Sequence, residues 1–380
     1  MTAQKIFSRD FVLAFFAQFA SSFFFHILIP TLPIHLSRLG STEIETGVLI
    51  GIFFFSSLVF RPIVGKALLK TPEKHFMIIG ALLYVVTSVA YVLTSPFWPF
   101  LIVRVFHGIG FAFFHTASFT LVANISSVAH QGQSLSYFYM AATISSALAP
   151  PLGIFLINHF SFTFLFLVCL GLSLCTLLIA RKLRRRQVVP LQNSSVEDGF
   201  FLSRKALAPS ITSFFSFFIW GALTAFFPLY AINHGVDNPG FFFTTMAMML
   251  ILGRTLGGKI SDLYGRERVL LPCLITFVIS MLILVFSKTL PLFIIVAVIW
   301  GIGHAFFYPS LVVYVLDHAD SSLGPAMGTF TAISDLGMCL GPVIMGIVIN
   351  LTSYPIMFFC LFLIGVINLN YFYFFVRKKR

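Results

Sequence analysis

Between residues 103 and 115 the chain reads VRVFHGIGFAFFH, an apolar run that nevertheless carries Arg104, His107 and His115. Arginine is a permanent cation and histidine titrates near neutral pH, so such groups bind anions or hold and release protons. At 100° per residue Arg104, Phe111 and His115 fall within about 40° of one another, with His107 about 60° away, so one face of a helix is polar. Asp335, in TFTAISDLGMCLGP, is the one carboxylate well inside an apolar run, while Asp10 and Asp317 stand at run ends. An acid whose protonation answers to a nearby cation is a candidate proton carrier, and an acid bonded to a neighbouring helix is the other reading. His26, Trp220, His304 and Tyr308 lie in further apolar runs. Each histidine has two readings as well, a group facing a wet interior or a hydrogen-bonded structural ring.

Metal chemistry has little support in the spacing. No HxxxH or HExxH places two ligands on adjacent turns, and His107 and His115 are eight apart. Cys169, Cys175, Cys273, Cys339 and Cys360 all sit inside apolar runs, without CxxC spacing or a disulfide framework. They read as small buried hydrophobes. No metal site and no cofactor is expected, and a membrane-embedded metal enzyme is only a remote alternative.

The elements that must position these residues follow from composition. Hydrophobic residues make up 58% of the 380 and charged residues only 9%, against about 25% charged in a soluble domain. Lipid must therefore be the solvent. A bilayer-crossing helix needs about 20 mostly apolar residues. Windows of that kind fall near 11–36, 46–66, 76–94, 98–123, 135–158 and 161–181, and again near 207–232, 241–260, 269–287, 292–316, 326–350 and 355–376. The first is too long for the core of a signal peptide. Of the 24 Lys and Arg, only Arg38 and Lys288 fall on one side of these spans, and Arg61, Arg104 and Arg254 fall within them. The rest share the other side, which places both termini in the cytoplasm. The net charge of +12 thus orients the chain in a membrane, and nucleic acid is not expected as a partner. Residues 182–206 are the one long polar segment and read as a cytoplasmic linker.

The two sets of six spans are related. Gly108-Ile109-Gly110 and Ala112-Phe113-Phe114 recur 193 residues later as Gly301-Ile302-Gly303 and Ala305-Phe306-Phe307. RPIVGK at 61–66 matches RTLGGK at 254–259 at the same offset, and Pro33 with Gly40 matches Pro228 with Gly235 at 195. Six spans per copy make the repeat parallel, which points to a transporter.

At this point a family likeness enters. Gly258-Lys259-Ile260-Ser261-Asp262-Leu263-Tyr264-Gly265-Arg266-Glu267-Arg268 resembles the loop signature of the major facilitator superfamily, between the second and third spans of a half. Arg104 with Gly108 and Gly110 resembles its fourth-span motif. Gly337, Gly341 and Pro342, like Ala149, Pro150 and Gly153, resemble weakened forms of a helix-packing motif seen in exporters, and the chain resembles bacterial drug and sugar efflux members of that family. The resemblance implies an all-α fold of twelve transmembrane helices in two six-helix bundles, 1–181 and 207–380. It implies a central cavity lined by spans one, four, seven and ten, which carry His26, Arg104, His107, His115, Trp220, His304 and Tyr308. It also implies a charge latch at Gly258, Asp262, Gly265 and Arg266. The first copy departs from that signature, with Leu69 for the acid and Pro72 for the glycine. Arg61 and Arg254 read either as gating residues or as snorkelling ones.

The function expected is secondary active transport of a small solute by alternating access, through proton-coupled export in antiport. Proton symport or facilitated import is the alternative. One Arg and several His against one Asp suit an anionic or zwitterionic substrate. Protons, the bilayer and that solute are the expected partners of a monomer in a bacterial inner (plasma) membrane.

Overall fold

In lipid a backbone N–H or C=O has no water to bond, so a spanning segment must satisfy its own groups, as a helix does. The computed structural model describes residues 7–94, 97–126, 130–184, 204–264, 266–317 and 323–377, and its elements are helical throughout. They are α1 (Arg9–Arg38), α2 (Glu43–Ala67), α3 (Glu73–Leu93), α4 (Trp98–Ile125), α5 (Gln131–His159) and α6 (Phe162–Lys182). Then follow α7 (Arg204–Asn233), α8 (Gly240–Tyr264), α9 (Arg266–Phe286), α10 (Leu290–Asp317), α11 (Leu323–Leu351) and α12 (Tyr354–Tyr371), with a π-helical turn at Phe372–Val376. Among the described residues eleven helices are long and apolar enough to cross a membrane. The other is α8, whose side chains are described only as far as Gly253.

Local sequence explains where several helices begin and end. At the start of α2 the backbone of Thr42 donates to Glu45 Oε2 (2.8 Å) and that of Glu45 to Thr42 Oγ1 (3.2 Å), a reciprocal capping box. Ser161 caps α6 by accepting from Phe164 N at 3.1 Å. Helices α1 and α7 end in the same way. Gly40 and Gly235 take φ of +83° and +77°. The following residues, Ser41 and Val236, donate back to Leu36 O and Ala231 O. Glycine adopts this left-handed turn without the Cβ penalty, and the pair realises the 195-residue repeat as two identical terminators.

By packing, the chain divides into two compact units. The first holds residues 1–31 and 55–197, and the second holds 32–54 and 198–380. The end of α1 and the first half of α2 thus count with the second unit, whereas the sequence-based halves divide at the linker.

Small residues set the closest approaches in each unit, as expected where lipid offers no hydrophobic drive to associate. In the first unit a Cβ on Gly80 of α3 would lie 2.7 Å from Phe114 N of α4. A Cβ on Gly153 of α5 would meet Ile27 and Thr31 of α1. In the second, Gly337 and Gly341 of α11 press on the α7 backbone at Phe214 and Phe218. Gly47 and Gly51 of α2 press on α11 at Pro342 and Cys339. The outward surface is apolar, with residues such as Val86 and Leu178 more than half exposed. Lys74 at the start of α3 donates to Arg181 O (2.7 Å) and Leu183 O, capping the carbonyl end of α6.

Gly341→Val therefore forces α11 off the α7 backbone, at a cost of about 1–3 kcal/mol or more. Thermal unfolding of the purified variant should show a clear loss of stability. Gly171→Val, at a site with nothing within 4 Å of an added Cβ, should unfold like the parent.

Candidate functional site

The polar face read on α4 resolves into two clusters, because neighbouring helices claim its two edges separately. Arg104 and His107 turn to α3. Arg104 is 5% and His107 1% exposed. Arg104 Nη1 reaches Tyr91 Oη at 3.4 Å, and that hydroxyl lies 2.9 Å from His107 Nδ1. With the guanidinium donating to its oxygen, the phenol can direct its own proton at the imidazole. The His107 ring also stacks on Phe24 of α1 at 4.7 Å and meets Tyr84 edge-on. This is the arrangement of a hydrogen-bonded structural histidine.

His115 turns to α1. Gln18, fully buried, places Nε2 within 3.4 Å of the His115 ring nitrogens and 2.9 Å from Ser22 Oγ, while its Oε1 accepts from Ser118 Oγ at 3.0 Å. Its amide is thereby used on both sides. Arg61 of α2 sets its guanidinium 5.6 Å from the centre of the Phe111 ring, a cation–π contact. Phe111 in turn packs on His115 at 4.0 Å. Arg61 and His26 both lie within electrostatic reach of His115. His26 is half-buried and its Nδ1 bonds Ser22 O at 2.7 Å. Within the first unit, then, His26 and Arg61 come near His115, whose ring Gln18 faces. Arg61 reaches along the membrane-spanning part of α4, which is the opposite of snorkelling.

The second unit has an aromatic counterpart. His304 of α10 meets Trp220 (6.2 Å), Phe217 (6.3 Å) and Phe277 (6.3 Å), and Tyr308 also packs edge-on against Phe217 (6.0 Å). Asp335 is half-buried on α11. Its neighbour Ser334 donates to Ser213 Oγ on α7 at 2.8 Å. Ala149, Pro150 and Gly153 lie within α5, and Gly337, Gly341 and Pro342 within α11. Of the expected latch, Arg266 opens α9 half-buried. The side chains of Arg254, Gly258 and Asp262 and the whole of Gly265 lie outside the described residues.

Two groups escaped the sequence reading. Gln18 is one, although a signal was present: Gln18, Ser22 and His26 recur at i, i+4 and i+8 in an apolar span, a polar stripe on one helix face. Glu267 is the other. Its Oε2 lies 3.9 Å from Arg377 Nε, and Tyr314 Oη donates to Val376 O at 2.8 Å, so the chain's end is tied to α9 and α10. Nothing in the sequence placed residue 377 beside residue 267. Among the described residues, no three of His, Cys, Asp and Glu converge as metal ligands would.

An all-helical membrane chain with an internal parallel repeat and inward-held ionisable groups has the makings of a transporter. The family model of the Major Facilitator Superfamily matches residues 14–254 and 240–380. The chain belongs to that superfamily and is an integral membrane protein. It is 23% identical to the staphylopine export protein of Staphylococcus aureus (strain Mu50 / ATCC 700699), over 87% of each chain. It is 23% identical to multidrug resistance protein 1 of Bacillus subtilis (strain 168), over 87% of this chain and 88% of that one. A crystal structure of a point mutant of the nucleoside transporter NupG superposes with a TM-score of 0.81, at 13% identity, over 97% of this chain and 100% of the other. These likenesses agree with the expected fold of twelve helices.

Tyr91→Phe removes the hydroxyl that serves both Arg104 and His107. A loss of about 1–2 kcal/mol in stability should follow, read as a lower unfolding temperature. Tyr139→Phe, at a residue 39% exposed, should change it far less.

Proposed function

We propose that the protein exports a small solute in exchange for protons, by rocking residues 1–181 against 207–380. The observation that carries this reading is the network around Gln18 and His115, with Arg61 and His26 beside it. An arginine or histidine facing acyl chains has no polar partner, and a mid-span Arg costs about 2.5–3.5 kcal/mol on insertion scales. Ionisable groups held inward by polar neighbours are what a pathway for protons and polar solutes requires. In this reading Asp335 is the proton carrier, Arg104 and Arg61 supply positive field for an anionic or zwitterionic solute, and His26, His115 and His304 line the path with Trp220 and Tyr308. His107 supports the path by fixing α3 against α4. Solute and proton compete, so proton entry drives solute exit. One charge crossing 100 mV is worth about 2.3 kcal/mol, enough for a single titrating group to drive useful accumulation. Relatives named for export and for multidrug resistance support the outward direction. The loop at Gly258, Asp262, Gly265 and Arg266, with Arg254, acts as the cytoplasmic latch. The working unit is a monomer in the bacterial inner membrane, with both termini in the cytoplasm.

The test uses the full chain in sealed vesicles with an imposed pH gradient. Candidate solutes come first from a thermal-shift screen. Solute should move against the direction of proton flow, and Asp335→Asn should abolish that coupling while the protein stays folded. Solute moving in the same direction as protons would turn the reading to symport. Wild-type coupling in Asp335→Asn would remove Asp335 from the mechanism.

A further inference from the structure

The carbonyl end of α6 is held in a set shape. Lys74, half-buried at the start of α3, gives two of its three N–H donors to Arg181 O and Leu183 O. Leu183 is buried and extended, with φ −62° and ψ 144°, so the chain leaves the helix along one course. On either side of that anchor Arg181, Lys182 and Arg184 are exposed. Among the described residues none of these three has an acidic partner. Glu73, the acid next to Lys74, is buried and accepts from Asn124 Nδ2 at 2.6 Å, so its charge is committed to α4. Four cations thus meet at one helix end, and the Lys74 ammonium has one N–H left to give.

The internal repeat shows that closing a unit does not require this charge. Position 193 beyond Lys74 is Glu267, and those beyond Arg181, Lys182, Leu183 and Arg184 are Phe374, Phe375, Val376 and Arg377. The docking is kept, because Tyr314 donates to Val376 O at 2.8 Å where Lys74 donates to Leu183 O. The charge is not kept. Arg377 has Glu267 at 3.9 Å, and two exposed phenylalanines stand where the first copy has Arg181 and Lys182. The surplus cations at the end of α6 therefore answer to something other than helix packing.

The surface beneath them says what. Leu167, Leu174 and Leu178 are exposed on α6, and Arg181 and Lys182 follow Leu178 by three and four residues, which continues the same helix face. An apolar stripe that runs into a cationic end matches a molecule with acyl chains below and an anionic headgroup above. A small free anion would meet only the charge.

We propose that the end of α6 is a seat for an anionic phospholipid, whose phosphate is taken by Lys74, Arg181, Lys182 and Arg184 and whose acyl chains lie along Leu178 and Leu174. The seat does not depend on which solute the protein carries or in which direction.

Lipid-dependent stability tests this. The full chain in neutral detergent is titrated with dioctanoyl phosphatidylglycerol, with dioctanoyl phosphatidylcholine and with glycerol phosphate, and the unfolding temperature is followed. Phosphatidylglycerol should raise it saturably and at lower concentration than either other probe. The triple variant Arg181→Gln, Lys182→Gln, Arg184→Gln should bind it about tenfold more weakly or worse, since hydrogen bonds to a charged group are lost. Replacing Arg181 and Arg184 by Lys keeps the charge and should keep most of the preference. Lys378, Lys379 and Arg380 carry the same three charges elsewhere in the sequence, and their change to Gln should leave the preference in place. Arg184→Gln alone lies beyond the helix, so it reads out a partial loss without endangering the fold. Equal response to the two lipids overturns the proposal, as does a preference that survives the triple variant. An equal loss in the Lys378, Lys379 and Arg380 variant means diffuse attraction to net charge and overturns it too. Glycerol phosphate acting as well as the lipid would show an anion site without a lipid, which sinks the assignment.

Discussion

Lipid cannot hydrogen-bond a backbone, and every other feature of this protein answers to that restriction. It makes each described element helical. It also removes the hydrophobic drive that would pull helices together in water, so association falls to close packing and to polar contacts. The first shows in glycines whose missing Cβ admits a neighbour's main chain, as at Gly80, Gly337 and Gly341. The second shows in side chains such as Gln18 and Tyr91, which spend their polar atoms on other helices.

The two copies of the repeat have used this freedom differently. The first unit holds hydrogen-bonded histidines, with His107 locked to Tyr91 and His115 facing Gln18. At corresponding positions the second has Trp300 and Tyr308 within a cluster of aromatic rings. Where Phe111 of the first copy receives the Arg61 guanidinium, the second has His304. Corresponding helix positions therefore carry polar and cationic side chains in one unit and flat aromatic ones in the other.

Much of the architecture was legible in the sequence because the signals are strong and local. Twelve apolar windows, the Lys and Arg imbalance and the 193-residue repeat each follow from one dimension of information, and the glycine caps at 40 and 235 appear where the repeat put them. The site was legible in composition but not in pairing. A helical wheel gives the angle between Arg104 and His115, but not which helix stands against each edge, so a single face became two clusters. Arg61 was near the end of its span in sequence, yet a side chain as long as arginine can reach towards Phe111. Glu267 and Arg377 are 110 residues apart, and only the third dimension joins them.

The glycine contacts between α2 and α11 in the second unit carry a mechanical consequence. Helices that interlock through large side chains must climb over each ridge to slip past one another. At Gly47 and Gly51 the α2 surface carries no side chain and faces the main chain of Pro342 and Cys339 with the Val343 side chain beside it, so the corrugation along the axis is shallow. Such a junction behaves as a smooth bearing: tight across its width, yet compliant to small axial displacement.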